Sequence, residues 1–309
     1  MSLFSSTLNN IAFLFGFIAI GFVISKLKLL PEKSSAVLSK LENMLFIPAS
    51  VLGTFSTNFT QDKLGSYSEL LMISAIIEII VIPLAIIIPK LITKDRYVQK
   101  IYTYGLSFSN FGFMGYAVVL SLFPEIYDSY LIFTLPLWIA IYLWGVPRLI
   151  IANAGQKQSF KESLKSFVNP MFICMIIGMI IGISGIKLPS WISKLISDSA
   201  SCMSPVAMLI TGIVVSSISL KKTFTTLRTY VVTIIRLALF PLAFLGITQF
   251  VNLPEVAFLC ALCSLAMPLG LNTIVIPSAL GKDTTDAAGM AVISHLLSAI
   301  SIPLIFMLV

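Results

Sequence analysis

Apolar and polar positions divide the chain into ten long apolar runs joined by short polar connections. The runs cover roughly 8–27, 35–58, 67–91, 98–122, 127–152, 168–185, 189–217, 225–250, 254–280 and 285–308. Numbered in chain order, they are segments one to ten. Most approach the ~20 residues that an α-helix needs to cross the hydrocarbon core. The apolar residues are continuous rather than alternating, which predicts helices and argues against a transmembrane barrel. The expected fold class is therefore an all-α integral membrane protein of about ten transmembrane helices. The polar stretch 154–167, with Lys157, Lys161 and Lys165, divides the chain into 1–153 and 168–309.

Composition supports this reading. Charged residues make up 11% of the chain and the mean hydropathy is +1.01. A soluble domain carries roughly 25% charged residues, so lipid has to be the solvent for most of this surface. The net charge of +7 is explained by its placement rather than by a nucleic-acid partner. Sixteen of the twenty Lys and Arg fall in or beside the connections after segments one, three, five, seven and nine; three fall on the other side, and Arg236 lies within segment eight. The positive-inside rule then puts both termini outside and the connection 154–167 in the cytoplasm. The first run has no basic residue before it, so it reads as a retained helix rather than a signal peptide.

An internal repeat follows from the charges and prolines. Segment three carries Glu78 five residues before Pro83, and segment eight carries Arg236 five residues before Pro241. The offset is 158 residues, and it recurs between Asn110 and Pro268; Pro48 and Pro205 are 157 apart. Five segments per repeat is an odd number, so the halves insert with opposite topology. Inverted repeats of this kind are a recurrent design of secondary transporters.

Segments four and nine hold the richest helix-breaking chemistry. Segment four reads Ser107-Phe108-Ser109-Asn110-Phe111-Gly112-Phe113-Met114-Gly115; segment nine reads Pro268-Leu269-Gly270-Leu271-Asn272-Thr273, with Pro277 beyond. If both unwind and cross, their half-helix N-termini favour an anion at the midplane. Ser109, Asn110, Gly112, Pro268, Asn272 and Thr273 are thus the candidate substrate-binding residues, with close helix packing as the alternative use of the same residue types. Glu78 and Arg236 are candidates for a buried ion pair between the halves; the alternative is that each snorkels or pairs with a backbone carbonyl. His295, the only histidine, is a candidate proton carrier or a packing residue. Pro48 and Pro205 are candidate helix breaks; Glu42 and Asn43, early in segment two, are candidates for polar contacts near the inner side, with plain solvation at the helix start as the alternative for Glu42. Cys260 and Cys263 read as packing residues, so no metal or cofactor is expected. No catalytic constellation is present, and the connections are too short for a nucleotide-binding domain.

The sequence resembles the auxin efflux carrier family, which includes malate-permease-like proteins. The resemblance rests on Leu38–Leu41 with Phe46–Ala49, on Ser109–Gly115, on Arg236 with Pro241, and on Pro268 and Asn272 followed by Gly281-Lys282-Asp283. It implies a fold like the sodium–proton antiporters and bile-acid transporters, with segments four and nine crossing in a mobile domain and segments one, two, six and seven as scaffold. It implies elevator-type transport of small organic anions across the plasma membrane, proton or sodium as coupling ion, and a possible homodimer. A sodium-coupled bile-acid-type symporter, a non-transporting sensor and an intramembrane enzyme are the alternatives. Two departures stand out: Tyr116-Ala117 replace a proline expected after the segment-four glycine, and His295 replaces a small hydroxyl residue.

Overall fold

The protein is described by a computed structural model for residues 3–31, 33–216, 226–270, 272–274 and 285–309. Lys221, Lys222, Pro277, Gly281, Lys282 and Asp283 lie outside the described residues. Six helices are long and apolar enough to cross a membrane: Ser34–Asn58, Gln61–Ile92, Pro124–Ile151, Ser190–Ser216, Leu227–Thr248 and Asp286–Phe306. Shorter apolar helices are Ala12–Lys26, Phe111–Leu122, Pro170–Ser184 and Glu255–Ala266. Every apolar segment of the sequence thus contains helix.

The surface is inverted relative to a water-soluble protein. Ile76, Ile79, Ile80 and Leu91 of segment three and Ile173, Ile176 and Ile180 of segment six point outward, as expected where hydrocarbon is the solvent. The interior holds Tyr102, Tyr104, Tyr116, Tyr127 and Tyr130 together with serines and threonines. Polar groups are gathered inside because they find partners only there.

Local signals set the helix ends. The Asp95 carboxylate accepts from the Tyr97 and Val98 amides and starts Arg96–Ser107. Asn169 caps Pro170–Ser184 through the Phe172 amide, and Gly185, at φ +64°, ends it in the left-handed conformation. The connection 154–167 contains a short helix that the apolar pattern does not mark, Phe160–Lys165, opened by a reciprocal Ser159–Glu162 capping box.

Several prolines, among them Pro83, Pro89, Pro147 and Pro303, lie within helices rather than ending them. Pro48 follows a π-helical turn, Glu42–Phe46, and Pro241 follows another, Ile235–Leu239. In each case the carbonyl four residues before the proline, which cannot receive its usual bond, falls inside the widened turn. Pro48 is therefore carried within a helix rather than breaking one. Pro205 sits at the start of Met203–Ser216, just after an irregular residue at Cys202. Glu42 is not solvated at the helix start: it is fully buried within its π-turn, and neither carboxylate oxygen has a protein partner.

Segment one packs along segment seven, and segment two against segment six. Small residues let the backbones approach. A Cβ on Gly212 would run into the Ile18 carbonyl oxygen and the Phe22 amide, and one on Gly21 into the Leu209 carbonyl oxygen. We expect Gly212→Val to lower stability in detergent by at least about 2 kcal/mol through overpacking. Gly246→Ala, where nothing lies within 4 Å of the added carbon, should be neutral or stabilising by up to ~1 kcal/mol. Equal thermal midpoints for the two variants would contradict the close crossing of segments one and seven.

Candidate functional site

Segment four is helical over Arg96–Ser107, unwinds at Phe108–Asn110 and resumes at Phe111. Segment nine is helical over Glu255–Ala266 and irregular from Met267 to Gly270. The two irregular stretches cross. Ser109 and Leu269 form an isolated antiparallel bridge, and the Asn110 amide donates to the Pro268 carbonyl at 2.7 Å. Proline supplies an acceptor here without needing a partner for an N–H of its own. Ser109 Oγ adds a bond to the Ser264 carbonyl at 2.9 Å.

Each first half ends at the crossing with unsatisfied carbonyls and the negative end of its dipole. Arg236 of segment eight, 2% exposed, serves both ends at once. Its guanidinium donates to the Leu106 carbonyl at 3.0 Å, the Ser264 carbonyl at 2.8 Å and the Met267 carbonyl at 3.3 Å. It also lies over the Phe240 ring.

Of the two alternatives for Arg236, the structure adopts pairing with backbone carbonyls rather than the direct ion pair with Glu78. Among the described residues the ion pairs are Lys63–Asp128, Lys194–Asp198 and Arg228–Asp286. Arg236 is not paired with Glu78 because three carbonyls already claim its donors. The two side chains instead line one cavity of about 20 Å³ with Ser74, Ser107 and Ser264. Glu78 Oε1, Ser74 Oγ and Ser107 Oγ have no protein partner. That volume suits about one water, with enough polar groups to hold it.

The second half of segment four begins at Phe111, and its first amides precede the intrahelical bonds. Phe111, Gly112 and Phe113 line a larger cavity of about 330 Å³, together with Ser109, Asn110, Asn272, Tyr104 and Trp138 among others. Asn272 Nδ2 donates to Tyr104 Oη at 3.1 Å. Gly112 leaves room for the Trp138 ring, which a Cβ would meet at 2.9 Å; the indole in turn donates to Tyr116 Oη. Thr273 differs from expectation. It is fully buried, and its hydroxyl turns back to the Gly270 carbonyl instead of lining the cavity. Pro268 acts through its carbonyl at the crossing.

Segment ten braces both strands. Ser294 Oγ accepts from the Leu269 amide, and His295 Nε2 meets Asn110 Nδ2 at 2.9 Å. Tyr104, Trp138 and Ser294 are contributors that sequence reasoning passed over; a polar neighbour of His295 was the available signal for Ser294.

The three carbonyl bonds make Arg236 more demanding than Glu78. Arg236→Lys, which cannot reach all three carbonyls, should lose roughly 3 kcal/mol of stability. Glu78→Gln should lose under about 1 kcal/mol, because no charge partner is removed. Thermal unfolding of both variants in detergent decides the matter: an equal loss would restore the direct pair.

A model of the membrane transport protein family matches residues 6–163 and 156–306, nearly the whole chain. No curated protein matches the sequence. With several apolar helices and this match, the chain is a multi-pass membrane protein that belongs to the membrane transport protein family, of auxin efflux carrier type.

Proposed function

We propose that this transporter is a secondary carrier of small organic anions, with carboxylates such as malate and indole-3-acetate as first candidates. The observation that carries the reading is the helix start at Phe111, which opens with Asn110 and Asn272 onto one cavity. Free amides and a positive dipole end attract a carboxylate, and neutral amides hold it without forbidding release.

The proposed architecture is ten transmembrane helices in two inverted repeats of five, in the plasma membrane with both termini outside. Segments one, two, six and seven form the scaffold. The pairing of segment one with seven and of two with six supports that division. Arg236 from segment eight and Ser294 and His295 from segment ten tie the crossing into one body, as a unit that moves by an elevator step requires. The cavity is also lined by Ser39, Asn43 and Ser166, on the lysine-rich side of the chain. The conformation therefore reads as open to the cytoplasm. Protons or sodium ions drive the cycle, and no cofactor takes part.

Flux of labelled malate and indole-3-acetate into proteoliposomes, under separately imposed proton and sodium gradients, tests the proposal. Saturable flux in the wild type should fall at least about tenfold in Asn110→Ala and Asn272→Ala. Binding without flux under every gradient would favour a sensor, and sodium-dependent flux alone would favour a bile-acid-type symporter. Undiminished flux in both variants would remove the anion site from the crossing.

A further inference from the structure

We infer that His295 sets which edge of the Asn110 amide faces the cavity, so that anion affinity rises when the imidazole takes up a proton. The inference rests on the crossing as the anion site and specifies how that site is regulated.

The argument begins with the two ring nitrogens. His295 is 2% exposed, and its Nδ1 lies 2.7 Å from the Ala291 carbonyl. A carbonyl only accepts, so Nδ1 carries a proton in either charge state. In the neutral ring Nε2 is then a bare acceptor and requires a donor. Asn110 Nδ2, at 2.9 Å, is that donor. The amide is thereby held with Nδ2 toward His295 and Oδ1 on the opposite edge, at a residue that lines the 330 Å³ cavity. A carbonyl oxygen repels a carboxylate.

Protonation reverses the requirement. Imidazolium Nε2 becomes a donor and can face only an acceptor. A half-turn of the amide about Cβ–Cγ puts Oδ1 against Nε2 and turns the two Nδ2 hydrogens to the cavity. The site gains donors and a neighbouring positive charge in one step, and both favour an anion. The sign is therefore fixed: anion affinity rises as pH falls through the imidazole titration. By linkage, a bound anion strengthens proton binding at His295 by the same factor, which is the condition for moving the two together.

Among the described residues the ring's hydrogen-bond partners are Asn110 and the Ala291 carbonyl, and no charged side chain is bonded to it, neither Arg96 and Lys100 of segment four nor Glu255 of segment nine. On the elements packed against segment ten, Arg236 is bound to three carbonyls, and Arg228 pairs with Asp286. Lys26 lies over Phe22. Of the buried hydroxyls, Tyr102 donates to Asp286 and Tyr104 accepts from Asn272. Cys260 and Cys263 are thiols within segment nine. Ser298 donates to the His295 carbonyl rather than to the ring.

One histidine in the chain makes the test direct. The protein, purified without a histidine tag, is labelled with ¹⁵N-histidine and reconstituted into liposomes. At about pH 8.5 its single imidazole should show Nδ1 protonated and Nε2 bare, converting to imidazolium on acidification. Malate binding, followed by tryptophan fluorescence through Trp138 in the cavity wall, should tighten at least about tenfold between about pH 8.5 and the acidic pH at which the ¹⁵N signal is that of imidazolium. In His295→Gln the change beyond malate's own titration should vanish, because a glutamine amide offers Asn110 either a donor or an acceptor. An Nε2-protonated ring at high pH, or the same pH dependence in His295→Gln, overturns the inference. Equal malate binding at both pH values overturns it while leaving the anion site standing. No malate binding at either pH removes the anion site and the inference together.

Discussion

Two stretches of backbone lie uncoiled inside a hydrophobic molecule, and the surrounding structure is arranged around satisfying them. Water is absent from the hydrocarbon core, so each free N–H or C=O there costs several kcal/mol unless the protein supplies a partner. The crossing supplies part of the answer from its own backbone, through the Ser109–Leu269 bridge and the Asn110–Pro268 bond. Ser294 accepts from the Leu269 amide, and Arg236 serves three of the carbonyls. A cation at mid-depth costs about 3 kcal/mol on insertion scales. Three hydrogen bonds from a charged donor, each worth roughly 1.5–3 kcal/mol, more than offset it. The charge also lies at two negative helix ends, where dipoles favour it further.

That solution divides the crossing chemically. The C-terminal helix ends are occupied by a permanent charge and are structural. The resumed end of segment four is left to neutral amides, with Asn110 and Asn272 at the wall of the larger cavity. A permanent cation on the binding side would hold an anion too firmly for release. On the proposed reading, the separation of the fixed charge from the adjustable amides allows the site both to bind and to let go.

Much of this was legible in the sequence, and the failures have physical causes. Continuous apolar runs identified the helices because the bilayer imposes both composition and length. The breaks in segments four and nine were visible as Ser109-Asn110 before a glycine-rich turn and as Pro268 with Gly270, since these residues tolerate or cause unwinding. Equal offsets between Glu78 and Arg236 suggested mutual attraction, but spacing along a chain carries no information about competing acceptors. Carbonyls at Leu106, Ser264 and Met267 exist only once two helices have ended at one place. Glu42 misled for a similar reason: nearness to a helix start suggests solvation, yet a π-turn carries the side chain inward. Thr273 was chosen for its hydroxyl, which instead donates to the Gly270 carbonyl three residues back.

On the proposed inverted repeat, equivalent positions differ where chemistry demands it. Segment three is a regular helix through Glu78 and Pro83, whereas segment eight opens into a π-turn that holds Arg236. A symmetric pair of carboxylates could not have neutralised two negative helix ends, and a symmetric pair of arginines would have left one charge buried without acceptors. Opposite charges at equivalent positions avoid both faults: the cation serves the shared crossing, and the carboxylate faces a space for one water beside it. The same logic applies to segment ten, whose single His295 meets only the first strand through Asn110 while Ser294 meets the second. On that reading duplication supplies two similar frames, but one shared crossing needs only one cation and one titratable brace. Asymmetry at these positions is therefore what two interlocked halves with a common centre require.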